Sequence, residues 1–313
     1  MLDIPGLQFR AALFQLIRSF FHHQGFLEVD TPIRQPVLLP ESTITPIASG
    51  SWFLQASPEQ SMKRILARGG KNIFQICPCF RAEERGAQHL EEFTMLEWYR
   101  SDADYHDLMT DCRSLLSYVL EGLNQREQYR AFVTRSCFGT MSAGIDWESI
   151  TVSEAFSRWA TIPLDDALES GRFDEVIAID IEPHLGLQSP TFLYDYPAAC
   201  ASLARLKKDD ARLAERFELY MDGMELANGF SELTDTAEQR ARFMQELQLM
   251  ETDNSFRKQL PERFLQDLDK IDRAAGIALG LDRLLMLLLS ASSIDEVVSF
   301  SPDDWAEQGT TSK

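Results

Sequence analysis

Asp222-Gly223 separates two alternating runs, Phe217-Glu-Leu-Tyr-Met221 and Met224-Glu-Leu-Ala-Asn228, and is a strong two-residue hairpin signal. That turn sets Met221 opposite Met224, Tyr220 opposite Glu225 and Glu218 opposite Ala227. Side chains alternate between faces, so Glu218 and Glu225 share one face as diagonal neighbours. Two carboxylates there repel unless a cation lies between them. Oxygen ligands of this kind suit Mg2+, which takes one or two carboxylates plus substrate phosphates. A solvated outer face is the plain alternative. Strict alternation sends Asn228 to the opposite face, and a bulge at Gly229 is what would turn it back.

Arg81 and Glu83, two apart in a strand, share a face. Arg binds phosphate through paired N–H groups, and a nearby carboxylate orients it; an ordinary ion pair is the alternative. On the next run Phe93, Met95, Glu97 and Tyr99 share a face. An aromatic ring beside carboxylates suits a stacked base or a cationic substrate, whereas a buried apolar stripe accommodates Glu97 poorly. His89 lies in the polar connection between the two runs. Gly280-Leu-Asp-Arg283 stands where a strand passes into a helix. An Arg there opposes the helix dipole, and an anionic phosphate, which the same helix end favours, gives it a reason. The chain has no Walker-type phosphate loop, no Gly-x-Ser-x-Gly elbow and no metalloprotease motif.

The elements that must position these groups follow from periodicity. Residues 7–23 carry one apolar helix face, and Gly25 stops it. Residues 26–30 alternate as a strand that Thr31-Pro32 ends. A short strand over 52–55 precedes a helix opened by Ser57-Pro58-Glu59 and closed near Gly69-Gly70. Residues 74–83 and 93–99 form a long hairpin, with Pro78 placed where no ladder bond needs its missing N–H. Helices are expected over 104–123, twice within 150–185, and over 237–250 and 261–269; a strand over 277–280 leads into a buried helix over 281–290. No repeat or linker divides the chain. The sum is a single α+β domain, residues 1–313, with a mainly antiparallel β-sheet flanked by helices.

Net charge is −19 over 313 residues. Nucleic-acid binding calls for clustered Lys and Arg, but Lys207-Lys208 is cancelled at once by Asp209-Asp210. A bulky RNA ligand is therefore disfavoured. Cys77, Cys79, Cys112, Cys137 and Cys200 are sparse and suit reduced thiols. Cys77-Pro78-Cys79 lacks the second Cys or His pair that would complete a zinc site. The first residues lack a basic, then apolar, leader pattern. The longest apolar run, Leu284 to Leu289, falls well short of the roughly 20 residues a membrane span takes. A cytoplasmic protein is expected.

Together, three segments resemble the three motifs of class II aminoacyl-tRNA synthetases. Gly25-Phe-Leu-Glu-Val-Asp-Thr-Pro32 looks like motif 1, which in that family forms the dimer interface. Residues 74–99, with Phe80-Arg-Ala-Glu83 and Glu92-Phe-Thr-Met-Leu-Glu97, look like motif 2, and residues 276–290, opening Gly276-Ile-Ala-Leu-Gly-Leu-Asp-Arg283, like motif 3. The motif 2 segment and Glu225-Leu-Ala-Asn-Gly-Phe-Ser-Glu-Leu-Thr-Asp235 are closest to the lysyl subgroup. The resemblance implies ATP as substrate, with Arg81 on the α-phosphate and Arg283 on the γ-phosphate. It implies that Glu83, His89, Phe93, Glu225, Leu226 and Gly280 contact ATP, Phe93 by stacking on adenine. Glu218 and Glu225 would hold Mg2+. Ser57, Glu59, Glu97, Tyr99, Asn228, Glu232 and Ala278 would surround a lysine-like amino acid.

Only a short helix precedes motif 1, where the tRNA enzymes carry an anticodon-binding domain, and Ala278 stands where they usually have Gly. Both features are similar to the elongation factor P β-lysine ligase family. That likeness implies a homodimer that activates (R)-β-lysine and attaches it to a lysine side chain of elongation factor P. A minimal lysyl-tRNA synthetase-like enzyme charging tRNA, and a non-catalytic amino-acid-binding regulatory paralogue, are the alternatives. Where members read His-Asn-Pro-Glu-Phe, this chain has His89-Leu-Glu-Glu-Phe93.

Overall fold

The computed structural model describes residues 1–140, 147–250 and 259–305; the expected domain, 1–313, also spans the residues between and after these. Asp3 accepts from the Gly6 amide and opens α1 (Ile4–His23), which buries Phe9, Leu13, Ile17, Phe20 and Phe21 along one face. Gly25 ends it with φ +74°, a left-handed value that Gly takes without strain. Of the strand expected over 26–30, β1 (Leu27–Glu28) pairs with Ile73 and Phe74, and Val29 N adds a bond to Phe74 O. Next come β2 (Arg34–Gln35), β3 (Ala48–Ser49) and β4 (Trp52–Leu54), a small separate sheet, and α2 (Glu59–Leu66). The long hairpin is β5 (Asn72–Phe80) and β6 (Glu92–Ser101). Helices α3 (Tyr105–Asn124) and α4 (Glu127–Arg135) follow.

Strand β7 (Glu148–Thr151) leads to three short helices, α5 (Val152–Trp159), α6 (Leu164–Glu169) and α7 (Phe173–Val176), where two were expected, and then to β8 (Thr191–Pro197). A second hairpin, β9 (Leu213–Met221) and β10 (Met224–Ser231), precedes α8 (Thr236–Leu249) and α9 (Glu262–Leu268). Strand β11 (Ala274–Gly280) runs into α10 (Leu281–Leu289).

The main sheet is eight-stranded, in the order β1-β5-β6-β11-β10-β9-β8-β7. Its β1–β5 and β7–β8 pairs are parallel and the rest antiparallel. This is the α+β architecture expected. The back face sends Phe74, Leu96, Trp98, Ile277, Leu279, Ala227, Leu219 and Phe217 into one core with α1, α3 and α10. Period-two alternation then leaves the other side chains of the same strands on the front face. There α2, α8 and α9 close one end around Met62, Leu66, Tyr99, Phe243 and Phe264. Pro78 fits as expected: Phe80 N donates to Gln55 O and Gln55 Nε2 donates to Pro78 O, so its N side faces the Gln55 segment, not β6.

Candidate active site

One register line crosses the front face. Gln75 pairs with Glu97, Glu97 with Ala278, Ala278 with Asn228, and Asn228 with Glu218. Directly paired residues point to one side, so five strands place this row over the same floor. The expected pairing of Glu218 with Ala227 is corrected: the register shifts between Glu225 and Ala227. The extra residue is Leu226, not Gly229, and it turns Asn228 to the face of Glu218 and Glu225. Leu226 itself is buried in the back-face core and offers the site only its main chain. Gly229 serves close packing, since a Cβ there would stand 2.8 Å from the Phe217 ring.

At one end of the row lies a buried polar cluster. Ser57 Oγ donates to Glu97 Oε1 (2.5 Å) and accepts from the Glu59 amide (2.9 Å). Tyr99 Oη donates to Glu97 Oε2 (3.0 Å). Burial, then Glu59, pushes the Glu97 carboxyl well above its ordinary range. Glu232, also buried, is pushed up to about 8 by burial, with Lys63 acting the other way and Glu59 adding to the rise. Asn228 Oδ1 is buried with no hydrogen-bond partner. A buried acceptor left unpaired is costly, and an ammonium donor from a substrate would satisfy it.

Further along the strands, just beyond the last residues of β5 and β11, are the arginines. Arg81 is not on a strand with Glu83, as the sequence suggested: β5 ends at Phe80, and Glu83 is exposed at φ +66°. The Arg81 guanidinium lies 5.2 Å from the Phe93 ring centre, and its Nε donates weakly to Ala56 O (3.4 Å). Glu91 caps the loop by accepting from the Glu83 amide (2.9 Å), and Leu90 turns into the back-face core, so both departures have structural uses.

Gly280 stands at the N-cap of α10 without a side-chain cap, and Arg283 lies in the first turn beyond it. Arg283 donates to Glu225 O (2.8 Å) and to His89 Nε2 (2.5 Å). Burial, then Arg283, pulls the His89 pKa down, consistent with a neutral ring accepting there.

Glu218 accepts from Tyr196 Oη (2.5 Å), Tyr220 Oη (2.6 Å), Arg216 Nη2 (2.6 Å) and, more weakly, Asn228 Nδ2 (3.4 Å). Glu225 is more open, and among the described residues its carboxylate meets only Arg283, at 3.5 Å. Burial and then Glu218 raise the Glu225 pKa. A carboxylate crowded by a like charge fits a divalent cation. Glu225 is the open ligand; Glu218 would have to share an oxygen already bonded.

Sequence reasoning missed several groups. Lys63 meets Glu59 and Glu232; its spacing of four from Glu59 on α2 was the available signal. Asp282 is buried and accepts from Arg10 Nη1 (2.6 Å) and the Thr94 amide (2.6 Å), tying α10 to β6 beside Arg283. Arg85 grips Asp295 through two bonds (2.8 and 3.1 Å), and Ile294 N donates to Ala87 O, so the motif 2 loop is pinned to the turn after α10.

Residues 5–304 match the family described as tRNA synthetases class II (D, K and N). The chain is 38% identical over 313 residues to "Elongation factor P--(R)-beta-lysine ligase" of Edwardsiella ictaluri (strain 93-146), covering 96% of each chain. It is 38% identical to the protein of that name from Histophilus somni (strain 2336), with 96% of both covered. For the one from Salmonella gallinarum the identity is 36%, again over 96% of both. The chain belongs to the class II tRNA synthetase family of the D, K and N type, within the branch of the elongation factor P (R)-β-lysine ligases.

Proposed function

We propose that this chain is an ATP-dependent ligase that activates a lysine-like amino acid, (R)-β-lysine, as its adenylate and passes it to a lysine side chain of elongation factor P. The observation that carries this is the shared front face: buried carboxylates and an unpaired amide oxygen at one end, arginines and an open carboxylate at the other. In this reading Glu59, Glu97, Tyr99, Asn228 and Glu232 take the substrate amines, with Ser57 orienting Glu97. Ala278, between Glu97 and Asn228 in the row, puts a methyl group on the pocket floor.

The amino-acid carboxylate attacks the ATP α-phosphorus and pyrophosphate leaves. Arg81 steadies the charge on the α-phosphate and Arg283 that on the departing phosphates, His89 and Glu225 holding Arg283 in place beforehand. Phe93, beneath Arg81, is the surface for the adenine ring. Mg2+ held by Glu225, with Glu218 behind it, would add charge neutralisation on the phosphates. The acceptor amine then attacks the adenylate carbonyl, forming an amide and releasing AMP.

The eight-stranded sheet running from β1 to β7 supports treating the chain as one catalytic domain. Pairing of two copies through the segment around Leu27, which is 61% exposed, completes the reading as a homodimer. Among the described residues no helix is long and apolar enough to cross a membrane, which fits work in the cytoplasm. ATP–pyrophosphate exchange without acceptor tests the proposal. Exchange that depends on (R)-β-lysine over α-lysine is expected. Preference for α-lysine together with charging of tRNA would replace it with the synthetase reading.

A further inference from the structure

Lys63 is 1% exposed. Its Nζ lies 2.5 Å from Glu59 Oε1, in close ion contact with Glu232 Oε2, and 5.1 Å from the Phe230 ring centre. Other titratable groups crowd the same space: Glu97 and Tyr99 from β6, and Glu41 from the segment before β3. Among the described residues, Lys63 is the only ion-pair partner of Glu59 or Glu232.

So many buried carboxyls cannot all ionise on their own. Burial, then Glu59, raises Glu41 to about 7, and burial raises both Glu97 and Glu232. A carboxyl that keeps its proton offers an ammonium no charge. Glu232 Oε1 remains buried and unpaired, 2.6 Å from where a Cβ on Gly276 would stand, so it lies at the pocket floor beside Tyr99. Lys63 therefore engages one oxygen of each carboxylate and leaves the other toward the pocket.

We propose that Lys63 is a positioning residue that sets the charge of the amino-acid pocket, holding Glu59 and Glu232 turned so that their remaining oxygens receive the amines of a diamino acid. This rests on reading the pocket as the amino-acid site. The fixed ammonium offsets one negative charge, so the pocket discriminates by charge as well as by shape.

The test compares wild type, Lys63→Met and Lys63→Arg in ATP–pyrophosphate exchange with the lysine isomer that wild type uses, from about pH 6 to about pH 9. Lys63→Met keeps the volume and loses the charge. It should raise the amino-acid KM by ~10- to 100-fold while the ATP KM stays within about twofold. Its kcat/KM should also reach its plateau at a pH higher by about one unit. Lys63→Arg should restore most of both. A Met variant with wild-type KM and an unmoved pH profile would overturn the proposal, as would equal losses toward amino acid and ATP.

If Lys63→Met does not fold by circular dichroism, Lys63→Gln takes its place, with the same shift expected and its absence equally decisive. Calorimetric binding of lysine isomers without ATP makes the same comparison if wild type shows no exchange. Failure of the assigned reaction and failure of the role of Lys63 are thus read separately.

Discussion

Gly276 has no room for a methyl group. A Cβ there would stand 2.2 Å from Tyr99 Cε1 and 2.6 Å from Glu232 Oε1. Carbon atoms rest at about 3.5–4.0 Å, so Gly276→Ala asks the Tyr99 ring to retreat by about 1.3 Å or more. Tyr99 is buried, with Met62, Phe243 and Phe264 in the cluster around it, and its hydroxyl is committed to Glu97. The ring therefore cannot move without disturbing that bond and the pocket wall. Overpacking of this kind costs ~1–3 kcal/mol, equivalent to about 5- to 150-fold in an equilibrium constant. The amino-acid KM in pyrophosphate exchange should rise by that factor. The ATP KM should hardly change, because Arg81, Arg283 and Phe93 lie at the other end of the face. Adding Tyr99→Phe to the Gly276→Ala variant should give no relief, since the added methyl meets ring carbons rather than the hydroxyl. An alanine variant with the wild-type amino-acid KM would refute the placement of Tyr99 and Glu232 in that pocket.

Asp282→Asn weakens two charge-assisted bonds, to Arg10 and to the Thr94 amide, at a site 2% exposed. We expect a loss of ~3–5 kcal/mol in denaturant unfolding, as for a broken buried ion pair, together with slower exchange because the start of α10, which carries Arg283, loses its tie to β6; unchanged stability would show that the network contributes nothing. The Glu232 carboxyl, raised from 4.5 to about 8, keeps its proton longer in the folded chain than in the unfolded one. Folding stability of the free protein should therefore fall as pH rises through that window, while amino-acid binding strengthens as the carboxylate forms. Glu232→Gln should flatten the stability profile, and an unaltered slope would count against the assignment.

Much of this was legible in the chain. Asp222-Gly223 gave the hairpin and the common face of Glu218 and Glu225, because turn type fixes register close to the turn. Beyond Glu225 the prediction slipped: a bulge changes parity without changing composition, and Leu226 reads like any strand residue. Arg81 and Glu83 looked like strand neighbours because nothing in Phe80-Arg-Ala-Glu83 announces a left-handed residue. Strand β8 escaped notice because Asp195, at φ +58°, and Pro197 interrupt its alternation. Lys63 drew no attention, since burial of its charge depends on partners such as Glu232 far along the sequence. Leu90, where the family pattern has Asn, is a core side chain.

Strand β11 sits at the centre of the sheet yet comes late in the chain. The β5–β6 and β9–β10 hairpins can each close locally, but they share no neighbour until β11 slides between them. Glu97 and Asn228 then become lateral neighbours of Ala278 in a single event, and Arg283 arrives on the helix that follows. Such long-range pairing is slow to form. A chain still emerging from synthesis would hold both carboxylate clusters but neither the floor between them nor its second arginine. With the site roles proposed above, adenylate formation would then wait for the last stage of folding.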